Sequence, residues 1–195
     1  MAIAEHSAPV LTRRRFNVTE YYRMTEVGIL REDDHVELIA GEIIQMSPIG
    51  ASHGECTSAL EELLGPQVRG QARLRGQTSM RLDDASEPQP DLALVRYRRY
   101  RQTLPTAADV FFLVEVADSS LDYDLGVKLP LYAAAGIGEV FVVDTIHDVV
   151  ERHTEPRDGH YRCVLRAGRG ESLTSTVLPA VTLPLDVVLG YELPE

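Results

Sequence analysis

Two stretches, Pro90-Asp91-Leu92-Ala93-Leu94-Val95 and Phe111-Phe112-Leu113-Val114-Glu115-Val116-Ala117-Asp118-Ser119-Ser120, decide how this chain is read. Each sets one carboxylate, Asp91 or Glu115, among aliphatic and β-branched residues of the kind that form a buried strand. A charge in such a place costs several kcal/mol unless something compensates it. Two such carboxylates on neighbouring strands repel each other, and a divalent cation is the simplest reason to keep both. Thirteen residues after Glu115 stands Lys128, the only lysine among 19 basic residues. Two acids and a lysine are the minimal equipment for metal-dependent phosphodiester chemistry.

Working outward, Asn17 is placed to cap a helix over 18–27 that ends at Gly28. Residues 36–46 read as a β-hairpin turning at Ala40-Gly41, and 53–64 as a helix stopped by Gly65-Pro66. Residues 72–82 predict one or two strands, and an acidic turn follows at 83–88. The apolar runs 92–95 and 110–116 predict central strands. Residues 121–135 predict a helix, provided that it begins near Val127 so that Pro130 falls in its first turn. Residues 139–144 predict another buried strand, and strand–helix–strand implies a parallel pair. The segments 149–153, 160–165 and 172–176 predict an antiparallel meander extending the sheet. The fold class is therefore α/β with a mixed α+β sheet: a central sheet flanked by helices, with a C-terminal antiparallel extension. Residues 1–15 read as a disordered arm and 16–195 as a single domain.

The 195 residues are 44% hydrophobic and 25% charged, ordinary for one globular domain. The two cysteines, Cys56 and Cys163, are too few for a disulfide scaffold, so a cytoplasmic location is expected. No segment approaches the roughly 18 apolar residues of a membrane span, and the start lacks a signal-peptide core. A net charge of −11 argues against broad electrostatic binding of nucleic acid. The positive charge is nevertheless clustered: Arg13 to Arg15, then Arg69, Arg73, Arg75 and Arg81, then Arg96, Arg98, Arg99 and Arg101 interleaved with Tyr97 and Tyr100. The last group is either a solvated loop or a set of phosphate and base contacts.

A hard cation such as Mg²⁺ takes one or two carboxylates, with water and substrate phosphate completing its shell. Asp91 and Glu115 are the first candidates to hold it, with a backbone carbonyl such as that of Val116 as a third ligand. Two further readings stand beside this one. One is a non-catalytic relative that binds nucleic acid or protein. The other is a glycosidase acid/base pair, which leaves the lysine unexplained and has few aromatic residues to stack on sugars.

The chain resembles the PD-(D/E)XK nuclease superfamily, and more closely the Uma-two family of short bacterial restriction-endonuclease-like proteins. The matching pieces are residues 36–48, Gly50 with His53, 90–95, 113–120 and 124–137 running into 139–144. The resemblance implies a restriction-endonuclease-like core, and with the acid–acid–lysine set the leading hypothesis is a DNA endonuclease with an Mg²⁺ or Mn²⁺ cofactor, acting as a homodimer. The sequence leaves DNA against RNA, and the target sequence, open. Asp91 matches the acid of the Pro-Asp motif and Glu115 that of the second motif. The usual lysine position, two residues after the second acid, is Ala117 here, and Lys128 matches the displaced lysine of the subgroup. Glu37 matches a further acid, a water-mediated metal ligand, with Glu42 as its competitor depending on strand register. His53 and Tyr132 are accessory candidates near the site.

Overall fold

The computed structural model describes residues 12–31 and 33–190. Its frame is a six-stranded sheet in the order β3-β4-β5-β6-β7-β8: Ala72–Gly76, Leu92–Arg96, Val110–Ala117, Glu139–Asp144, Val149–Arg157 and His160–Gly168. All neighbours run antiparallel except β5 and β6, the pair joined by a helical crossover. Alternation along the strands sorts the core into two layers. Leu92, Leu94, Val114 and Val116 face helix α2 (Ala51–Gln67) and bury Leu60 and Leu64. Ala93, Val95, Leu113 and Ala117 face the crossover and bury Leu129 and Tyr132.

Helix α1, Val18–Glu26, starts with a capping box in which Asn17 and Glu20 satisfy each other's backbone N–H. The hairpin is β1 (Val36–Ile39) against β2 (Glu42–Gln45). Its turn residues Ala40 and Gly41 have φ of 48° and 81°, the left-handed pair that a two-residue turn requires. At Gly41 a Cβ would also lie 2.7 Å from Arg15 Cβ and 3.0 Å from the Phe16 carbonyl oxygen. Gly41→Ala is therefore expected to cost at least about 1–2 kcal/mol. Thermal denaturation reads this as a melting temperature lower by several degrees.

Three expectations are corrected. Helix α2 runs past Gly65-Pro66 to Gln67. Its last turn is tied down by the Gln67 amide, which donates to Thr182 O (3.0 Å) and accepts from Thr182 N (2.8 Å). The crossover is helical from Leu121, so Pro130 is not in its first turn. Instead α3 (Leu121–Tyr123) passes into a π-helical turn, Asp124–Lys128, and then α4 (Leu129–Ala134). The Leu129 N–H reaches back five residues to the Asp124 carbonyl, and this wider turn accommodates the proline ring and its missing N–H.

The third expected meander strand leaves the sheet. Ser172–Thr174 (β9) pairs instead with Thr182–Pro184 (β10), because Leu173 and Leu183 are buried in the α2-side core. The buried Glu139 carboxylate also draws in Thr176 N at 2.8 Å and the Ser175 hydroxyl. Of the expected N-terminal arm, residues 1–11 lie outside the described residues. Arg14 pairs with Glu20, and Arg15 pairs with Glu42 at 3.3 Å.

Candidate active site

Antiparallel register sets Leu92 opposite Val114, which brings Asp91 and Glu115 side by side, one residue further along each strand. The Asp91 carboxylate accepts a 2.8 Å hydrogen bond from Val116 N, and the Asp91 N–H points at Glu115 Oε2, 3.4 Å away. His53, on the first turn of α2, brings Nε2 to 3.0 Å from Asp91 Oδ1, and this contact raises the imidazole pKa above its ordinary value.

Glu115 is 1% exposed, and both of its oxygens are engaged. Tyr132 OH donates to Oε1 at 2.5 Å and Lys128 Nζ to Oε2 at 3.2 Å. Lys128 also stands 3.7 Å from Glu37 Oε1 and 3.5 Å from the Gln89 carbonyl. The displaced lysine thus reaches the second-motif acid from the π turn. Ala117, where the usual lysine would sit, is fully buried in the layer that holds Tyr132.

Glu37 lines the cleft and Glu42 does not. The register pairs Ile39 with Glu42 and Ile44 with Glu37, so both acids belong to one face of the hairpin. Distance along the hairpin separates them, not a change of face. Two groups absent from the sequence reading complete this corner: Tyr123 OH donates to Glu37 Oε1 (3.0 Å) and Gln89 N to Oε2 (2.9 Å). Asp124, four residues before Lys128, is buried and held by the Ser120 hydroxyl at 2.6 Å. All these groups except Glu42, Ala117 and Tyr132 line or border a cleft of about 620 Å³. Among the described lining residues there is no arginine. Arg96 ends β4, five residues from Asp91 and so about 16 Å along the strand.

Burial opposes the Lys128 ammonium, but Glu115 first, then Glu37, Asp124 and Asp91, overcome it and hold the lysine charged. For Glu115 burial is the larger effect and pushes the carboxyl up to about 8, with Lys128 pulling the other way. Burial likewise raises the Asp124 carboxyl. Four acids surround one lysine, and the cleft is short of positive charge.

Residues 18–186 match the Uma2 family, described as "putative restriction endonuclease". The chain belongs to the Uma2 family. A Uma2 chain with this sheet also resembles a solved structure from Anabaena variabilis ATCC 29413, a "putative nuclease belonging to DUF820". That likeness has a TM-score of 0.68 at 14% identity and covers 86% of this chain and 97% of that one. It shows that the fold is shared. No curated protein matches this Uma2 chain. Among its described residues no helix is long and apolar enough to cross a membrane.

Proposed function

We propose that this protein is an endonuclease that hydrolyses DNA phosphodiester bonds with a divalent cation, Mg²⁺ or Mn²⁺, held by Asp91 and Glu115. The observation that carries the reading is the convergence of Glu37, Asp91, Glu115 and Asp124 on Lys128 in one cleft, where a second cation would bring the raised Glu115 and Asp124 carboxyls back down. The donor set fits such a cation. Among the described residues no three acidic, histidine or cysteine side chains converge as a closed metal cage. Mg²⁺ does not need one, since two carboxylates with water and phosphate oxygens suffice. When bound, the cation would neutralise charge on the phosphoryl oxygens and lower the pKa of water.

The remaining roles belong to the protein. Lys128, beside Glu115, sets a fixed positive charge against the attacked phosphate. Tyr132 fixes the Glu115 carboxylate through its 2.5 Å hydrogen bond. Glu37, oriented by Tyr123 and Gln89, faces the same cleft and would hold water in the outer shell. His53 orients Asp91. A homodimer is part of this reading, because one cleft cuts one strand. What supports a second copy is the open edge of β8, with Val164 and Leu165 exposed.

The test is plasmid nicking by the purified chain with Mn²⁺ or Mg²⁺, against EDTA. Nicking that needs the metal and returns when metal is restored is the expected result, and its absence with both metals refutes the reading. One observation favours a second reading, a non-catalytic binding protein. Both Glu115 oxygens already have protein donors, so the site is complete without a metal.

A further inference from the structure

The edge of the sheet nearest the cleft carries arginines that no acid claims. β3 is an edge strand, so its outer side has no neighbouring strand. Its register pairs Arg75 with Ala93 and Arg73 with Val95, and Ala93 in turn pairs with Leu113. Ala93, Val95 and Leu113 all belong to the layer that holds Tyr132. Cross-strand partners share a face, so Arg73 and Arg75 rise from the same sheet face as Glu115. The strand leads to the cleft: Gln77, two residues beyond Arg75, lines it and donates from its backbone to the Asp91 carbonyl at 2.8 Å. Steps of two residues along a strand are about 6.6 Å.

The environment of Arg75 calls for an anion. Its guanidinium lies 5.6 Å from the Tyr100 ring centroid, and its Nε is buried with no hydrogen-bond partner among the described residues. Burial and the neighbouring Arg73 both work against its charge. Glu61 approaches β3 at Gly76, from the α2 side of the sheet.

The loop after β4 sorts its own arginines. Arg98 is committed to Asp109 at 2.8 Å, and Arg96 to the Ala108 carbonyl at 3.1 Å and to the Phe111 ring. Arg99 and Arg101 are exposed, and no ion pair is formed by them, by Arg73 or by Arg75 among the described residues. In a chain of net charge −11, these four arginines without an ion pair make a local concentration of positive charge.

We propose that a nucleic-acid strand entering the cleft is held along the edge of β3 by Arg73, Arg75, Arg99 and Arg101, each facing its phosphates. This assigns phosphate contact to Arg73, which gives one N–H to the Arg98 carbonyl at 3.2 Å and so ties this loop to β3, and to Arg75, and withdraws it from Arg98, whose charge Asp109 already meets. The strand's destination rests on the nuclease reading, but the track itself is tested without cleavage. Fluorescence anisotropy in EDTA would follow the full chain binding labelled 20-nucleotide single-stranded DNA, the duplex of the same length, and RNA. The triple variant Arg73→Gln/Arg99→Gln/Arg101→Gln changes three exposed side chains. The control, Arg23→Gln/Arg31→Gln/Arg157→Gln, makes the same charge change at three exposed arginines outside β3, β8 and the loop after β4.

The track variant is expected to bind at least one probe at least tenfold more weakly. Its slope of log K against log salt should fall by about 2, as three lost phosphate contacts imply. The control should stay within threefold of the parent. Equal losses in both triples, no loss in either, or no binding of any probe by the parent overturns the track. Absent Mn²⁺-dependent cleavage together with a track-specific binding loss would sink the nuclease reading alone. Cleavage and binding at parental levels in the track variant would sink the track alone.

Discussion

Asp91→Asn is expected to lower metal-dependent nicking by at least about a thousandfold, equivalent to about 4 kcal/mol of transition-state stabilisation. The substitution keeps the shape and keeps an oxygen able to accept the 2.8 Å hydrogen bond from Val116 N, so the β5 backbone is not disturbed. What it removes is one of the two carboxylates proposed to hold the metal, and the charge that holds His53 Nε2 at 3.0 Å. Asp91 lies at the mouth of the cleft with 16% of its side chain exposed, and asparagine fills the same volume there. The melting temperature should move by no more than a few degrees. Calorimetric titration with Mn²⁺ should show weaker binding in step with the lost nicking. Nicking at the parental rate would remove Asp91 from the site.

Lys128→Met is expected to be the most destabilising single change in the cleft. Methionine matches the length of the side chain, so packing is nearly conserved and charge is what is lost. Lys128 is 6% exposed and is the cation nearest both Glu115 and Glu37. Taking one partner from a buried ion pair leaves an uncompensated charge and costs about 3–5 kcal/mol. For a domain of this size that is a melting temperature lower by about 6–20 °C. Two further measurements separate this cause from a packing defect. The double variant Lys128→Met/Glu115→Gln should be less destabilised than the sum of the single changes, since the amide no longer needs a cation. Mn²⁺ should also stabilise Lys128→Met more than it stabilises the parent, by replacing the missing charge. Additive losses with no metal effect would show that the lysine serves packing alone.

The elements that the sequence disclosed were those with local signatures. The Asn17–Glu20 capping box, the Ala40-Gly41 turn and the apolar strands around Asp91 and Glu115 each act within a few residues. The parallel pairing of β5 with β6 spans 27 residues but was legible too, because it follows from the intervening helix. The convergence of Glu37, Asp91, Glu115 and Lys128 on one cleft was expected through the family resemblance, and the geometry brings them together. Other features depend on contacts distant in sequence. Gln67 holds its helix end against Thr182, and Glu139 captures Ser175 and Thr176. No local pattern announces either, so helix α2 was expected to end early and β9 was expected in the main sheet. Tyr123 and Gln89 were missed because their partner, Glu37, is more than fifty residues away in each case. Asp124 carried a signal, its spacing of one turn before Lys128. In the structure it bonds to Ser120 and reaches Lys128 only through its charge.

The π turn at Asp124–Lys128 sets backbone regularity against chemistry. Each residue of an ordinary α-helix advances the side-chain direction by about 100°. A chain with one residue deleted ahead of Lys128 would close into a more regular helix and swing the ammonium by roughly that angle, away from Glu115. The shorter chain would gain local order and lose its cation from the cleft. A lineage of this fold is therefore free to shorten its surface loops, but in this segment a change in length would dismantle the site at a stroke.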